Sequence, residues 1–361
     1  MSRSVCVIIP SVGNPDELGI VLDGLQSQDY FGSLEVVVVG PANDPGRKQA
    51  ESRGVRFIDD QGCRTRADAC NVALGGTESE LVMFTDDDVI VPEEWVSRLS
   101  HWFERPEVAG VGGPNFGPPD HSTLQQQIID VSFCSRIFTA GTNYGKVGVS
   151  ELEEVVQLPG VNSANRRSLL DVVGGFPEGS IGAEDVLLDQ RIRSAGHRLW
   201  TDKSAIMWHR RRNLARVRKQ ISNYGLVRTL ASNQHPELRS WSHVMVALFP
   251  PIVIAAFAAF YWGSDNGGLA SPWWDFSPNA LELGLARVSV LALPWLIALY
   301  NLIAWYGSAA GSSPNRSLTT VFLSPIVIFT LHWSYGIGVL RGWWRIFTGN
   351  PGLQIDDRKR V

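Results

Sequence analysis

Short, largely apolar runs separated by turn-forming residues mark the first two thirds of the chain. Val5–Pro10, Leu34–Val39 and Leu81–Phe84 have the pattern of strands that are buried on both faces of a sheet. Val55–Ile58 predicts a further strand. Because helical patterns lie between these runs, we predict an α/β domain with a mostly parallel, doubly wound sheet, whose ligands bind beyond the carboxyl ends of the strands.

The helical patterns begin directly after the first strand. Asn14 predicts a helix N-cap, and Pro15 takes the first helical position, which proline favours. Ala67–Leu74 predicts the next helix, and 184–195 predicts a later one with Gly196 as its C-cap. The apolar stripe of the first helix consists of Leu18, Val21, Leu22 and Leu25.

Three uncharged apolar stretches follow, at Val244–Trp262, Val288–Tyr306 and Thr320–Leu340. Each is long enough to cross the roughly 30 Å hydrocarbon core of a bilayer as a helix. Aromatic residues near their ends are typical of the membrane interface. The stretches predict an all-α transmembrane domain of about three helices over 243–345. The prolines expected to kink these helices are Pro250, Pro251, Pro294 and Pro325.

Basic residues are concentrated before the first apolar stretch, whereas the loop 263–286 has no lysine or arginine. The positive-inside rule therefore predicts a multi-pass protein of the cell membrane with a cytoplasmic N-terminal domain. Three spans would leave Arg341 and Arg345 on the opposite side, so either one stretch is a re-entrant hairpin or the earlier charges dominate. Those earlier charges are Arg210, Arg211, Arg212, Arg216, Arg218, Lys219, Arg228 and Arg239.

The segment before the first span predicts an amphipathic helix. Its apolar residues recur at helical spacing, with Arg and Lys on the opposite face. The pattern indicates an interfacial helix attracted to anionic lipid, the alternative being an ordinary surface helix packed on its own domain. The apolar stripe consists of Leu214, Val217, Ile221 and Tyr224. The predicted divisions are an α/β domain at 1–212, a linker at 213–242, a transmembrane domain at 243–345 and a polar tail at 346–361.

Composition narrows the classes of function. A formal net charge of −4 and a pI near 6.0 give no indication of nucleic-acid binding. The cysteines fit neither a zinc site nor a disulfide framework, so we expect reduced thiols. The apolar run that begins at Val5 is too short for a signal peptide, and we expect the N-terminal domain to stay on the side where it is made.

An acidic triplet follows the strand predicted at Leu81–Phe84. Asp86 and Asp88 are two residues apart, so on an extended segment their side chains point the same way. Two converging carboxylates at the end of a strand suit Mg²⁺ or Mn²⁺, ions that share their coordination with substrate phosphates. The alternative is a solvated acidic loop that caps a helix starting near Pro92.

Taken together, the order and spacing of several motifs resemble a family 2 glycosyltransferase with the GT-A fold. The matching segments are VCVIIPSVGN at 5–14, RADACN at 66–71, FTDDDV at 84–89, GVNSANRR at 160–167, GGFP at 174–177, GAED at 182–185 and MWH at 207–209. The C-terminal HWSYGIGVLRGWWR is similar to the tails of membrane-bound members that build lipid-linked glycan precursors. The resemblance implies an inverting sugar transfer that depends on Mn²⁺ or Mg²⁺.

The resemblance also implies roles for particular residues. Asp86 and Asp88 form the DxD motif, which is expected to bind the metal and the sugar nucleotide, and His209 falls where many members carry a histidine near the metal. Asp185 matches the general base, with Glu184 as its support or competitor. The alternative for this acidic pair is simple capping of the helix at 184–195.

Further residues are expected to contact the substrates. Many members carry an aspartate directly after the second strand, where this chain has Gly40 and Pro41, with Asp44 as a substitute. No Gln-x-x-Arg-Trp motif of processive synthases follows the candidate base, which argues for single transfers. The expected nucleotide-sugar contacts are Pro10, Val12, Asp44, Arg66, Asn71 and Asp87, and the expected acceptor contacts are Asn162 and Asn165.

The sequence thus predicts an enzyme that moves a single sugar from a UDP- or GDP-linked donor to a polyprenyl-linked acceptor at the lipid surface. One alternative is a polyprenyl-phosphate monosaccharide synthase, because a bare lipid phosphate needs no strong general base. Another is a catalytically inactive membrane scaffold, against which the intact Asp86, Asp88 and Asp185 argue. A nucleotidyltransferase is expected to carry a Gly-rich basic loop after the first strand, and Ser11–Asn14 is not such a loop.

Overall fold

A computed structural model describes residues 3–137, 151–180, 182–266, 269 and 280–353, without the side chains of 280–283. Half of the loop 263–286 and the end of the predicted tail therefore lie outside the described residues. The fold below refers to the described ranges.

The strands form one large and one small sheet. In chain order they are β1 (Val5–Pro10), β2 (Leu34–Gly40), β3 (Arg56–Asp59), β4 (Leu81–Phe84), β5 (Val89–Ile90), β6 (Val108–Gly112), β7 (Asn115–Phe116), β8 (Leu152–Val155), β9 (Ser163–Arg166), β10 (Arg198–Asp202) and β11 (Met207–His209). The four predicted strands correspond to β1–β4, with ends that differ by one residue at most.

The large sheet has the order β3-β2-β1-β4-β9-β6-β10-β8. β1, β2, β3 and β4 run parallel, and β10 is parallel to β6, while β9 and β8 are antiparallel to their neighbours. The small sheet has the order β5-β11-β7. The mostly parallel sheet confirms the predicted class, and it brings the carboxyl ends of β1, β2 and β4 to one edge.

The helices separate into those that cover the sheet and those that follow it. In chain order they are α1 (Pro15–Gln26), α2 (Gly46–Ser52), α3 (Arg66–Gly75), α4 (Trp95–His101), α5 (Leu124–Phe133), α6 (Arg167–Val173), α7 (Glu184–Ser194), α8 (Leu214–Gln234), α9 (Trp241–Asp265), α10 (Ala280–Ala309) and α11 (Leu318–Phe347). α1, α3 and α7 match the predicted helices. Asn14 is the N-cap residue of α1, as predicted, but its side chain makes no capping hydrogen bond.

Helices cover both faces of the large sheet, which explains the continuous apolar strands. Val5, Val7 and Ile9 of β1 are buried in one cluster with residues of α1 and α4. Cys6 and Ile8 are buried in a second cluster with residues of α3. Successive side chains of a strand point to opposite faces, so both faces of β1 must be apolar.

α9, α10 and α11 confirm the predicted spans, since each is long and apolar enough to cross a membrane. Only 11% of the most apolar part of α9 is buried, against 56% for α11, which places α11 at the centre of the described bundle. The Tyr300 hydroxyl of α10 lies 3.0 Å from Nδ1 of His332 in α11. Polar contacts of this kind hold membrane helices together.

α8 occupies the place of the predicted interfacial helix, but its apolar stripe packs on protein. Val217 and Ile221 are buried in a cluster with Ile129 of α5 and Leu331 of α11, while Tyr224 stays exposed. The expectation that this stripe lies on lipid is therefore corrected, because neighbouring helices cover it. The basic residues that stay exposed on this helix include Arg216, Arg218 and Lys219.

Glycines allow α8 and α11 to approach each other at backbone distance. A Cβ atom on Gly338 would lie 2.0 Å from the carbonyl oxygen of Ser222, and one on Gly225 would lie 2.3 Å from that of Tyr335. Residues with side chains could not occupy these positions without moving the backbone. The shape of the two helices therefore fixes α8 on the membrane bundle.

A buried carboxylate joins the α/β domain to the loop between α10 and α11. Asp130 of α5 accepts hydrogen bonds from Arg211 Nε at 2.8 Å, Ser313 Oγ at 2.6 Å and Asn315 Nδ2 at 3.0 Å. The side chains of Asp130 and Arg211 are 0% and 3% exposed. A buried charge is stable only when it is paired and hydrogen-bonded, so this cluster fastens the two domains together.

The chain folds back after α11. Leu353 is buried with Val186 of α7 and with Leu226 and Leu230 of α8. The start of the predicted polar tail therefore packs on the α/β domain, while residues 354–361 lie outside the described ranges.

We predict that Gly338→Ala destabilises the protein by about 1–3 kcal/mol, because the new methyl group must displace the Ser222 backbone. Thermal unfolding of purified protein in detergent would measure the effect. Gly284→Ala in α10 is the matched control, since a Cβ atom there meets nothing within 4 Å. Equal stability of the two variants would contradict the close packing of α8 on α11.

Candidate active site

The carboxyl ends of β1 and β4 form the floor of the candidate site. Ser11–Asn14 follows β1, and the acidic triplet follows β4 at the same edge of the sheet. Asp86 and Asp88 point to one side of this segment. Asp87 points to the other, where its Oδ2 accepts a 2.7 Å hydrogen bond from Ser11 Oγ. Asp86 and Asp88 thus share one side as predicted, although Asp87 and Asp88 lie in a turn and not in an extended strand.

Asp86, Asp88 and His209 converge into a group that could hold a metal ion. Each offers a ligand atom, and these atoms lie within 4.8 Å of one another. The antiparallel pairing of β11 with β5 sets His209 opposite Val89, beside the end of the triplet. His209 Nε2 lies 3.2 Å from Asp88 Oδ1. Strand pairing thus brings a ligand more than a hundred residues away to the DxD motif.

The electrostatics of this group favour a cation. Burial opposes ionisation of Asp88, but the hydrogen bond and charge of His209 and the charge of Arg212 outweigh it and hold the Asp88 pKa below its ordinary value. Nδ1 of His209 is buried without a hydrogen-bond partner. Two carboxylates and an imidazole form a donor set suited to Mn²⁺ or Mg²⁺. The residues present therefore fit a divalent ion.

Arg66 links the predicted metal ligands to the candidate base. Its Nη2 donates to Asp86 Oδ1 at 2.9 Å and to the carbonyl oxygen of Gly160 at 2.9 Å. Its Nη1 lies 3.5 Å from Glu184 Oε1. One guanidinium thus offsets the charge of carboxylates on both sides of the site, and the phosphate contact of Arg66 stays a prediction.

Glu184 and Asp185 occupy the first turn of α7. Asp185 Oδ1 accepts a 2.8 Å hydrogen bond from the backbone N–H of Val186. Burial raises the pKa of Asp185, while backbone N–H groups and the charge of Arg66 oppose the rise. Burial and the Asp185 charge likewise raise the pKa of Glu184. A helix N-terminus favours ionised carboxylates, and burial acts here in the opposite direction.

Asp44 and Asp87 hold the turn after β1. Asp44 Oδ2 accepts from the backbone N–H of Gly13, and its Oδ1 accepts from that of Gly46, both at 2.7 Å. Burial raises the pKa of Asp87, and the hydrogen bond from Ser11 opposes the rise. Both aspartates therefore shape the predicted nucleotide turn through its backbone and hydroxyl groups.

The other expected donor contacts differ in their exposure. Val12 is 69% exposed directly after β1, and Pro10 ends that strand partly exposed, so both lie open at the site. Asn71 donates to the carbonyl oxygen of Phe176 and accepts from its N–H, both at 2.9 Å. The structure therefore assigns Asn71 to holding the Gly174–Phe176 turn, in place of a free contact with the donor.

The two expected acceptor contacts lie inside the fold. Asn162 is fully buried, accepts from the indole N–H of Trp95 at 2.8 Å and donates to the carbonyl oxygen of Ala205 at 2.7 Å. Asn165 is 2% exposed within β9, between β4 and β6. Burial closes both side chains to an acceptor, so we leave them out of the proposed site.

Sequence reasoning missed several contributors. Ser11 and the carbonyl of Gly160 bond to the predicted site residues, and neither residue type signals this from sequence. By sequence alone, the arginine run 210–212 indicates only the orientation of the chain in the membrane. Arg210 pairs with Glu17, Arg211 pairs with Asp130 and the charge of Arg212 acts on Asp88. The position of this run directly after the candidate ligand His209 is the sequence feature that could have indicated these contacts.

Comparison with known proteins finds a family and several relatives to which this chain is similar. Residues 6–174 match the family model for glycosyl transferase family 2. The O-antigen chain rhamnosyltransferase RfbN of Salmonella typhimurium is 22% identical to this chain. The matched region covers 57% of this chain and 66% of RfbN. The succinoglycan biosynthesis protein ExoA of Rhizobium meliloti is 23% identical over 72% of this chain and 79% of its own.

A solved structure has the same fold. The mannosyltransferase PcManGT from Pyrobaculum calidifontis, in complex with GDP-Man and Mn²⁺, has a TM-score of 0.53 at 20% identity. The similarity covers 95% of this chain and 88% of that one, so it includes the helices after the sheet. The fold and the family match are those of a glycosyltransferase. The α/β domain has the GT-A fold, and its residues 6–174 are similar to glycosyl transferase family 2.

We predict that Asp88→Ala and His209→Ala each weaken Mn²⁺ binding at least roughly tenfold, because loss of even an outer-shell partner of a metal costs that much. Electron paramagnetic resonance titration of free Mn²⁺ against purified protein would measure it. Asp120→Ala, which removes an exposed carboxylate elsewhere, should bind Mn²⁺ as the unaltered protein does. Unchanged affinity in all three variants would exclude this group as the metal site.

Proposed function

We propose that the protein is an inverting, metal-dependent glycosyltransferase. It moves a single sugar from a UDP- or GDP-linked donor to a polyprenyl-linked acceptor at the cytoplasmic face of the cell membrane. The observation that carries the proposal is the Arg66 bridge. One guanidinium contacts both Asp86 of the candidate metal group and Glu184 beside the candidate base, so the two halves of a transfer site lie side by side.

The donor half suits a nucleoside diphosphate. A divalent ion held by Asp86, Asp88 and His209 would neutralise the charge that develops on the departing diphosphate. The exposed Val12 and the ordered turn after β1 offer a surface for the nucleotide. PcManGT, whose structure contains GDP-Man and Mn²⁺, supports this class of donor.

The acceptor half suits base catalysis. In the proposed reaction the acceptor hydroxyl attacks the anomeric carbon, the bond from that carbon to the diphosphate oxygen breaks, and Asp185 takes the hydroxyl proton. Attack opposite to the leaving group inverts the configuration. Arg66 and the N–H of Val186 stabilise the Asp185 carboxylate before the transfer.

The membrane helices support a lipid-linked acceptor. α8 packs on both α7, which carries the candidate base, and α11, which is the central span of the described bundle. The base therefore has a fixed position relative to the bilayer surface. The exposed basic residues of α8 favour the cytoplasmic side. The names of RfbN and ExoA, which refer to O-antigen chains and succinoglycan, are in line with glycan assembly.

Transfer by the purified full-length protein in detergent tests the proposal. UDP- and GDP-sugars are offered with Mn²⁺ or Mg²⁺ and a polyprenyl-linked saccharide, and products are identified by mass spectrometry. We expect EDTA to abolish transfer. Asp86→Ala and Asp185→Asn should lower kcat by roughly 100-fold or more, because each removes a group that acts on the reacting atoms. Asp120→Ala is the control.

Each other outcome of this assay has a meaning. Asp185→Asn activity that persists on a bare polyprenyl phosphate would favour a polyprenyl-phosphate monosaccharide synthase, whose nucleophile is already ionised. Absence of donor binding with metal present would favour the scaffold alternative. Retention of the anomeric configuration in the product would exclude the direct displacement.

The raised pKa of Asp185 predicts the acid limb of the pH profile. The base acts only when ionised, so kcat/KM should fall on acidification at a pH above the ordinary aspartate range. The charge of Arg66 lowers this pKa, so Arg66→Gln should move the limb to higher pH and Arg66→Lys should partly restore it. Arg56→Gln at the far end of β3 is the control, and a limb that stays unmoved in Arg66→Gln would contradict Asp185 as the titrating base.

A further inference from the structure

The middle of α8 lies against the turn that carries the candidate base. A Cβ atom on Gly182 would lie 3.5 Å from Val227 Cγ2. Leu226 and Leu230 are buried with Val186 and Leu187 of α7. Arg228 follows on this stretch of α8, and its charge acts on both Asp185 and Tyr335 of α11.

Arg228 is half-buried and incompletely satisfied. Its Nε is buried without a hydrogen-bond partner. Its Nη2 makes one long contact of 3.4 Å with the carbonyl oxygen of Leu238. Among the described residues no carboxylate forms an ion pair with it, whereas the buried Arg211 is paired with Asp130. A guanidinium nitrogen that is buried without a partner is costly, and an anion bound beside Arg228 would remove this cost.

Two further hydrogen-bonding side chains lie within range of the Arg228 charge. His243 in the first turn of α9 and Tyr335 of α11 have ring centroids 6.0 Å apart. The Arg228 charge acts on both of them and on Asp185. Cation, imidazole and phenol groups converge here from three helices, and all three can donate hydrogen bonds to a phosphate.

An exposed apolar line begins at the residue next to His243 and follows the outer surface of α9. It consists of Val244, Leu248 and Ile252, at steps of four residues. A ligand with a phosphate at Arg228 could therefore lay an apolar chain along this line. The end of the ligand opposite to the apolar chain would face Asp185.

We infer that Arg228, with His243 and Tyr335, binds the phosphate group through which the acceptor is joined to its lipid. The inference rests on the proposed function, because it names the part of the acceptor that this cluster recognises. The geometry orients the acceptor, with the prenyl chain along α9 and the reacting group at Asp185. A phospholipid headgroup offers the same phosphate chemistry, so the experiment must separate the two sources.

Binding of farnesyl phosphate to the full-length protein in detergent, without donor, tests the site. Farnesol is the matched ligand without phosphate. We expect the unaltered protein to prefer farnesyl phosphate to farnesol by roughly 10- to 100-fold, the size of a hydrogen-bonded charge contact. Arg228→Gln should bind the two ligands alike, and Arg228→Lys should restore part of the preference, which also guards against simple misfolding.

The control is Arg218→Gln, which removes the same charge from an exposed position of the same helix. It should keep the full preference for farnesyl phosphate. Equal loss in Arg218→Gln and Arg228→Gln would show a diffuse charge effect and overturn the site. Competition by phosphatidylglycerol or inorganic phosphate as strong as that of farnesyl phosphate would overturn the acceptor assignment.

The outcomes separate this inference from the proposed function. If the phosphate preference depends on Arg228 while no sugar is transferred from any donor, the site stands and the proposed reaction fails. If transfer proceeds and Arg228→Gln keeps the preference, the reaction stands and the site is refuted. A raised KM for the lipid-linked acceptor in Arg228→Gln, with a smaller change in kcat, would support both the phosphate site and the proposed reaction.

Discussion

The convergence of carboxylates at one edge of the sheet is the constraint on which the site depends. Asp86 and Asp88 come from the end of β4, and Glu184 and Asp185 come from the start of α7. Groups of like charge this close raise one another's pKa values unless cations lie among them. Arg66 supplies that cation from the first turn of α3. The position of α3 therefore matters as much as the identity of the acidic residues.

A second charge pair extends the same constraint to the membrane. Asp130 and Arg211 are buried together, and Arg211 is two residues from the candidate ligand His209. The loop carrying Ser313 and Asn315 completes the hydrogen bonds of Asp130. Displacing that loop would leave a buried carboxylate short of donors, which is costly. The loop between α10 and α11 thus contributes to the stability of the region that carries the candidate metal ligand His209.

The sequence predicts those features of the fold and the site that depend on residues close together in the chain. β1 and β4 are buried on both faces, so their sequences are continuous apolar runs. A spacing of two residues puts the side chains of Asp86 and Asp88 on one side. Partners distant in sequence decide the rest. The stripe of α8 could face lipid or protein, and only the docking of α11 shows that Val217 is covered. Asn162 carried the motif of an acceptor contact, yet its neighbours bury it.

The glycines of α8 and α11 give this arrangement a geometric consequence. Gly225 and Gly338 allow backbone contact between the helices, so small shifts of α11 must move α8 with it. α8 in turn packs on Val186, the residue after the candidate base. The proposed reaction with a membrane-bound substrate needs its base at a defined height above the lipid. In the described residues, packing from α11 through α8 to α7 sets the height of the candidate base relative to the membrane-spanning helices.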